Sequence, residues 1–185
     1  MRDHWSENVE YLNPDQVAQE KFGGWNNATA IVQAANWVTQ RREELLTQKL
    51  GIAFESVFSA ADKVTFLKRA KQAGYFLRCF FVSTGDPRIN ASRVADRVLN
   101  GGHSVPIEKI ISRYARSMAN LTAAIEVSDR VYIFDNSVDG VEATLCARTQ
   151  DGKLRKIYAN LPQWVADVVS GLPRHGEFVD LRHTT

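Results

Sequence analysis

The pattern of hydrophobic and polar positions along the chain predicts strands that alternate with helices. Short apolar runs predict four strands, at residues 9–12, 52–54, 75–82 and 131–134. Apolar residues recurring every three or four positions predict five helices, at about 14–22, 27–49, 61–73, 90–99 and 106–127. Because only Arg78 interrupts the run 75–82, that strand is expected to be buried on both faces, as strands of parallel sheets are.

This alternation predicts an α/β fold with a mostly parallel sheet. The C-terminal part of the chain departs from this alternation. An antiparallel hairpin is predicted there, with strands at 141–148 and 153–159 on either side of Asp151-Gly152, and a helix follows at 162–170. A length of 185 residues favours one domain. We divide it into a core at 1–138, with a lid at about 86–116, and an extension of the same domain at 139–185.

Composition narrows the class of protein. A formal net charge of +2 is too small to indicate a nucleic-acid partner, and no apolar run approaches the ~20 residues of a membrane span. The first residues lack the apolar core of a signal peptide. The two cysteines, Cys79 and Cys146, are predicted to be buried free thiols in a reducing, cytoplasmic setting.

Polar side chains follow three of the predicted strands. They belong to the segment Asn13 to Asp15, to Glu55-Ser56 and to Asp135-Asn136-Ser137. Chains often turn at such points, so each one alone has an ordinary structural explanation. Ligands of open α/β sheets, however, bind beyond the carboxyl ends of the strands, so together these residues predict a site that contains a base and a contact to either a metal ion or a sugar hydroxyl.

Cationic residues cluster in the middle of the chain. Four arginines and a histidine surround the turn Gly101-Gly102, namely Arg93, Arg97, His103, Arg113 and Arg116. Residues three or four apart share a helix face, and guanidinium groups suit phosphate oxygens. The alternative is a solvated helix face, on which Arg93 and Arg97 form surface ion pairs with Asp96 or Glu108.

Five segments together resemble one family. They read Leu-Asn-Pro-Asp-Gln-Val-Ala at 12–18, Ala-Phe-Glu-Ser at 53–56, Ala-Gly-Tyr at 73–75, Tyr-Ile-Phe-Asp-Asn-Ser at 132–137 and, most specifically, the lid segment at 93–114. The lid segment begins Arg-Val-Ala-Asp-Arg-Val, continues through Gly-Gly-His-Ser-Val-Pro and ends at Arg-Tyr. In this order and spacing, residues 9–138 resemble the zeta-toxin-like P-loop kinases, which include UDP-N-acetylglucosamine kinases.

The resemblance implies a P-loop kinase α/β/α sandwich and phosphoryl transfer from ATP, with magnesium, to a hydroxyl of a small molecule or nucleotide sugar. Asp15 matches the residue that accepts the hydroxyl proton, and Glu55 matches a substrate-pocket position. Arg97 and Arg113 match the lid arginines that bracket the transferring phosphate. We also assign Ser56, Arg93, His103, Arg116, Asp135 and Asn136 to substrate binding and predict no metal ligands. Expected partners are the substrate and an antitoxin or a complementing chain.

The chain departs from the family at one place. No G-x-x-x-x-G-K-[ST] run occurs in the 185 residues, whereas the family carries a strand and this loop before the Asn-Pro-Asp segment. Three explanations stay open: a misplaced start or a fragment, a degenerate relative, or a separate chain that supplies the missing part. We therefore expect this polypeptide alone to be inactive. The alternative function is a non-catalytic protein whose lid arginines hold an anionic ligand or an acidic partner.

Overall fold

The computed structural model describes residues 9–24, 27–102 and 104–182. The predicted role of His103 lies outside the described residues. The chain divides into two compact units, Met1–Val57 and Phe58–Thr185, and each is described by itself.

In its described residues, 9–24 and 27–57, the first unit contains two strands and two helices. These are β1 (Val9–Leu12), α1 (Pro14–Lys21), α2 (Ala28–Gln48) and β2 (Gly51–Phe54). The strands pair in parallel, with Val9 opposite Gly51 and Leu12 opposite Phe54. Parallel pairing requires a crossover between the strands, which α1 and α2 provide.

Apolar side chains of the helices cover this pair of strands. The first unit's core includes Leu12, Val17, Ala34, Val38 and Leu45, all buried. On its surface the Arg41 guanidinium donates two hydrogen bonds to the Glu10 carboxylate, of 2.8 and 2.7 Å, and so links α2 to β1. A bidentate arginine–carboxylate pair of this kind fixes orientation as well as charge.

The described part of the second unit contains nine elements. They are α3 (Ala61–Gln72), β3 (Arg78–Ser83), α4 (Pro87–Leu99), α5 (Ile107–Val127), β4 (Arg130–Asp135), β5 (Thr144–Gln150), β6 (Lys153–Ile157), α6 (Gln163–Ser170) and β7 (Arg174–Asp180). Five strands form one sheet in the order β3-β4-β5-β6-β7. The outer pairs β3–β4 and β6–β7 are parallel, and the pairs between them are antiparallel.

One face of this sheet supports the core of the second unit. Ile133 of β4 and Ala147 of β5 are fully buried there, together with Leu121 and Ile125 of α5 and Val165 of α6. The apolar stripe of α5 recurs every three or four residues, which explains why a single face of this long helix reaches the sheet.

The α/β class and the antiparallel hairpin are confirmed, and β5 and β6 continue the sheet that contains β4. The strands are divided between two sheets among the described residues, instead of one. Strand β7 was not predicted, because its sequence Arg-His-Gly-Glu-Phe-Val-Asp has no apolar run. None of the described helices has the length and apolar character needed to cross a membrane.

The prediction that β3 is buried on both faces is wrong. Phe81 is buried, but Phe80 and Val82 are 52% and 54% exposed. Side chains of a strand alternate between the two faces of a sheet, and here only one of these faces is covered. The continuous apolar run therefore reflects an uncovered apolar face.

Candidate functional site

Three polar side chains meet at the carboxyl ends of β1 and β2. The Tyr11 hydroxyl donates a short hydrogen bond to Oε1 of Glu55, and Nδ2 of Asn13 donates to Oε2 of Glu55 at 3.2 Å. The Glu55 N–H extends the strand pairing by donating to the Leu12 carbonyl at 3.3 Å. Parallel pairing in this register thus places Glu55 beside Asn13 and fixes the direction of its carboxylate.

Asn13 also begins α1. Its Oδ1 accepts hydrogen bonds from the backbone N–H groups of Asp15 and Gln16, at 2.9 and 3.3 Å, and Pro14 occupies the first helical turn. Asp15 is exposed in that first turn, where the helix dipole favours a carboxylate. One asparagine therefore holds the backbone of Asp15 and the carboxylate of Glu55 on the same side of the first unit.

The environment of Tyr11 keeps its hydroxyl protonated. Partial burial raises the pKa of Tyr11, and the hydrogen bond to the Glu55 carboxylate raises it further. At neutral pH the phenol therefore remains a hydrogen-bond donor that orients Glu55.

A second polar cluster lies at the carboxyl ends of β3 and β4. Oδ1 of Asp135 accepts hydrogen bonds from the Ser137 hydroxyl at 2.6 Å and from Nε1 of Trp164 at 2.7 Å. The Ser137 hydroxyl in turn accepts from the Gly85 N–H at 2.8 Å. Asp135 is thus committed to internal hydrogen bonds that tie α6 and the loop after β3 to the end of β4.

The loop after β3 is also held from α5. The Tyr114 hydroxyl donates to the Thr84 carbonyl at 2.8 Å, and Thr84 itself is buried. Burial raises the pKa of Tyr114, and the carboxylates of Asp86 and Asp135 raise it further. Asp86 caps α4 by accepting from the Arg88 N–H at 2.8 Å. Hydrogen bonds from α5 and at the start of α4 therefore hold this loop.

Arg93 fastens the loop after β4. Its guanidinium donates to the carbonyls of Asn136 and Val138, at 2.8 and 3.3 Å, and to Oδ1 of Asp139 at 3.3 Å. Its partner is therefore neither Asp96 nor Glu108. In this arrangement Arg93 holds the backbone of the loop after β4. Arg97 lies one turn further along the same face of α4.

Two glycines end α4 in a Schellman motif. The Gly102 N–H donates to the Arg97 carbonyl at 2.9 Å, and the Gly101 N–H donates to the Val98 carbonyl at 3.0 Å. Gly101 has a φ of 86°, a left-handed conformation that glycine adopts without strain. A Cβ on Gly102 would lie 2.6 Å from Cγ of Arg97, so only glycine fits there.

Several other residues that were predicted to bind a ligand have side chains without a partner among the described residues. Within the described part of the chain, Arg97, Arg113 and Arg116 make no side-chain hydrogen bond or ion pair, and α4 and α5, which carry them, pack against each other. Asn136 is half-buried, and its backbone is held by Ser83 and Arg93.

The predicted residues therefore fall into two groups. The structure brings Asp15 and Glu55 together through Asn13 in the first unit, and Arg93 together with Asp135 and Asn136 in the second. Ser56 is exposed directly after Glu55. Sequence reasoning named Ser137 among the strand-end residues but missed the roles of Tyr11, Tyr114 and Trp164. A position next to a strand end was a signal for Tyr11, but the contact of Trp164 spans 29 positions of chain.

A family model described as zeta toxin matches residues 20–143, about two thirds of the chain. The chain belongs to the zeta toxin family. Glu55 and the lid arginines lie inside the matched residues, whereas Asp15 lies before them.

A solved structure from the PezAT chromosomal toxin–antitoxin system of Streptococcus pneumoniae has a similar fold. The similarity has a TM-score of 0.52 at 14% identity, and it covers 95% of this chain and 70% of the other. No curated protein matches the chain. The likeness confirms the P-loop kinase-like α/β fold.

Kinases of the zeta toxin type need a site for ATP and magnesium, and the residues present fit it poorly. The phosphate-cradling run is absent from the 185 residues, and no cluster of three or more His, Cys, Asp or Glu side chains occurs in the described ranges. The arginines of α4 and α5 supply positive charge, but they do not replace backbone N–H groups that enclose phosphates or an oxygen that binds magnesium.

Proposed function

We propose that this chain carries the acceptor-binding and lid portion of a phosphotransferase of the zeta toxin family. Its substrate would be a hydroxyl of a small molecule or a nucleotide sugar. One observation carries the proposal: Tyr11 and Asn13 orient the Glu55 carboxylate at the ends of two parallel strands, beside Asp15 at the start of α1. This is the edge at which α/β proteins bind ligands.

In this proposal the two carboxylates have different tasks. Glu55 is held by two donors and accepts hydrogen bonds from acceptor hydroxyls, which fixes the orientation of the substrate. Asp15 has no such internal side-chain partner among the described residues and is exposed. It accepts the proton of the reacting hydroxyl as that hydroxyl becomes a nucleophile.

The lid arginines supply positive charge in this proposal. Phosphoryl transfer needs alignment and neutralisation of oxygens more than covalent help, and Arg97 and Arg113 are free to provide it. Arg116 adds charge on the same helix as Arg113. Arg93 acts indirectly, since its guanidinium positions the loop that contains Asn136. ATP and magnesium require groups beyond those of this chain, so we expect the polypeptide alone to be inactive as a kinase.

Binding of the acceptor is the direct test. Isothermal titration of the full chain with UDP-N-acetylglucosamine, and with a panel of other UDP-sugars, should detect an acceptor. Glu55→Gln and Tyr11→Phe should weaken its binding, because each removes part of the oriented carboxylate, whereas Asp15→Asn should leave affinity largely intact. Glu20→Gln, which changes an exposed carboxylate on α1, is the matched control. Equal losses in Glu55→Gln and Glu20→Gln would contradict the proposal.

A toxin of a toxin–antitoxin pair is the biological setting we propose. The solved structure that shares this fold comes from such a system. Co-expression of the chain with the product of a neighbouring reading frame, followed by co-purification, tests whether an antitoxin binds it.

A non-catalytic anion-binding protein is the second candidate, and it is favoured by the guanidinium groups of Arg97 and Arg113, which have no side-chain partner among the described residues. The two functions differ in a simple assay. When a polypeptide with the G-x-x-x-x-G-K-[ST] loop is added, transfer of labelled phosphate to a UDP-sugar supports the phosphotransferase. Binding of phosphate or a phosphorylated ligand that Arg97→Ala and Arg113→Ala abolish, without transfer under any condition, supports the alternative.

A further inference from the structure

One face of the parallel pair β3–β4 is apolar and uncovered. We call it the aromatic face; it consists of Phe80, Val82 and Tyr132, with Phe76 at its border. Phe76, Phe80 and Val82 are 57%, 52% and 54% exposed. Phe80 lies opposite Tyr132 in the pairing register, so both rings stand on the same face of the sheet. Contiguous exposed apolar side chains of this size typically mark an interaction site.

Cationic side chains border the aromatic face. Tyr132 lies opposite Arg148 in β5, and Arg148 lies opposite Lys156 in β6. These two cationic side chains therefore lie on the same face of the sheet as Phe80 and Tyr132. Arg78 and Arg130 stand at the other border, and both guanidinium groups contact the Phe76 ring, at 5.7 and 5.5 Å from its centroid. None of the residues that pair across β3, β4 and β5 with side chains on this face is acidic.

Arg148 adds an independent observation. Its Nε is buried and has no hydrogen-bond partner among the described residues. Buried donors are almost always satisfied in a complete structure, so an unpartnered guanidinium nitrogen indicates an acceptor that the unit itself does not supply.

We propose that the aromatic face binds an acidic amphipathic helix of a partner protein. Parallel strand pairs are normally covered on both faces by helices, and here α5 and α6 cover only the opposite face. The apolar side of such a helix would cover Phe80 and Val82, and its flanking carboxylates would face Arg148, Lys156 and Arg130. Charge complementarity therefore selects an acidic helix over a basic or neutral one.

The ring geometry favours a helix over single-stranded nucleic acid. The rings of Phe80 and Tyr132 stack on each other, with centroids 5.1 Å apart and an interplanar angle of 17°. Neighbouring strands lie about 4.8 Å apart, so rings stacked in this way stand upright and turn their edges outward. Bases stack on exposed ring faces, whereas aliphatic side chains pack well against ring edges.

A synthetic helix tests the proposal on the full chain. The probe is a fluorescein-labelled peptide of about 18 residues, about 27 Å long as a helix, with leucines along one stripe and glutamates beside it. A second peptide carries glutamine in place of every glutamate. Fluorescence anisotropy should show saturable binding of the acidic peptide, weakened by salt, and at least about tenfold weaker binding of the glutamine peptide.

Matched variants locate the binding. Phe80→Ser should weaken binding of the acidic peptide about tenfold, and Arg148→Gln should weaken it severalfold and reduce its salt dependence. The controls are Val141→Ser and Lys68→Gln, an exposed apolar side chain and an exposed cation outside the face. All four positions are at least partly exposed, and circular dichroism checks that each variant folds.

Three results would overturn the proposal. These are no saturable binding of the acidic peptide, equal losses in the control variants, or tighter binding of a single-stranded oligouridine of about 12 nucleotides. Sedimentation velocity provides a further check. Self-association that Phe80→Ser abolishes, without peptide binding, would assign the face to a second copy of the chain instead.

Discussion

Nε1 of Trp164 donates a hydrogen bond of 2.7 Å to Oδ1 of Asp135, joining α6 to the carboxyl end of β4. The same carboxylate oxygen accepts the Ser137 hydroxyl at 2.6 Å. The indole also packs against Phe81 of β3, with ring centroids 6.4 Å apart. A side chain from the C-terminal part of the chain thus helps to shape the loop that the lid segment contacts.

Trp164→Phe tests this hydrogen bond. The substitution keeps an aromatic ring in the core but removes one of the donors to the partly buried Asp135 carboxylate, which should lower the free energy of unfolding by about 1–3 kcal/mol. Urea denaturation monitored by circular dichroism measures it. Trp37→Phe, which keeps a ring beneath Lys21 in the first unit, is the control and should cost less.

Arg93 and Arg97 should differ in what they do. Arg93→Ala removes hydrogen bonds to two carbonyls and should destabilise the second unit by about 1–3 kcal/mol. Arg97→Ala changes an exposed side chain and should alter stability by no more than about 0.5 kcal/mol. Thermal denaturation with and without phosphate separates the two roles, because only the Arg97 variant should lose stabilisation by phosphate while keeping its stability. The opposite ranking would remove the positioning role of Arg93.

Gly102→Ala tests the end of α4. The added Cβ would lie 2.9 Å from the Arg97 carbonyl oxygen as well as 2.6 Å from its Cγ, so the Schellman motif must shift. Overpacking of this kind costs about 1–3 kcal/mol, and it should appear as faster amide exchange in the last turn of α4. Gly171→Ala is the control, since no atom lies within 4 Å of its Cβ position and the motif is unaffected. Unchanged exchange in Gly102→Ala would contradict the motif's role.

Asp129 should make stability depend on pH. Burial raises its pKa, but the Lys71 ammonium at 2.5 Å and the Leu77 N–H at 2.7 Å lower it by more, so the net pKa is below its usual value. A lowered pKa means that the stabilisation is present above about pH 4, the usual value for aspartate, and is lost as pH falls towards the folded-state pKa.

The expected size of this effect is roughly 1–2 kcal/mol, because the ammonium is partly exposed. The free energy of unfolding of the Asp129→Asn variant, measured by urea denaturation between about pH 2 and pH 6, should lack this part of the pH dependence. Asp96→Asn, an exposed carboxylate of α4, should retain it. A profile unchanged in Asp129→Asn would show that other carboxylates cause the loss.

The sequence alone predicted the features that depend on local periodicity. The stripe of α5 and the apolar run of β4 identified these elements, and the segment around Gly101-Gly102 identified the family because its residues are close in sequence. Asn13 and Glu55 were recognised as strand-end groups for the same reason.

Tertiary structure decided the features that depend on distant residues. Strand β7 forms because its backbone pairs with β6, and Trp164 reaches Asp135 only because α6 packs on the sheet. Arg93 could equally have faced solvent, and its contact with the loop after β4 comes from how α4 packs. The apolar run of β3 suggested burial on both faces, but burial depends on which elements cover a strand, and periodicity within one strand carries no information about them.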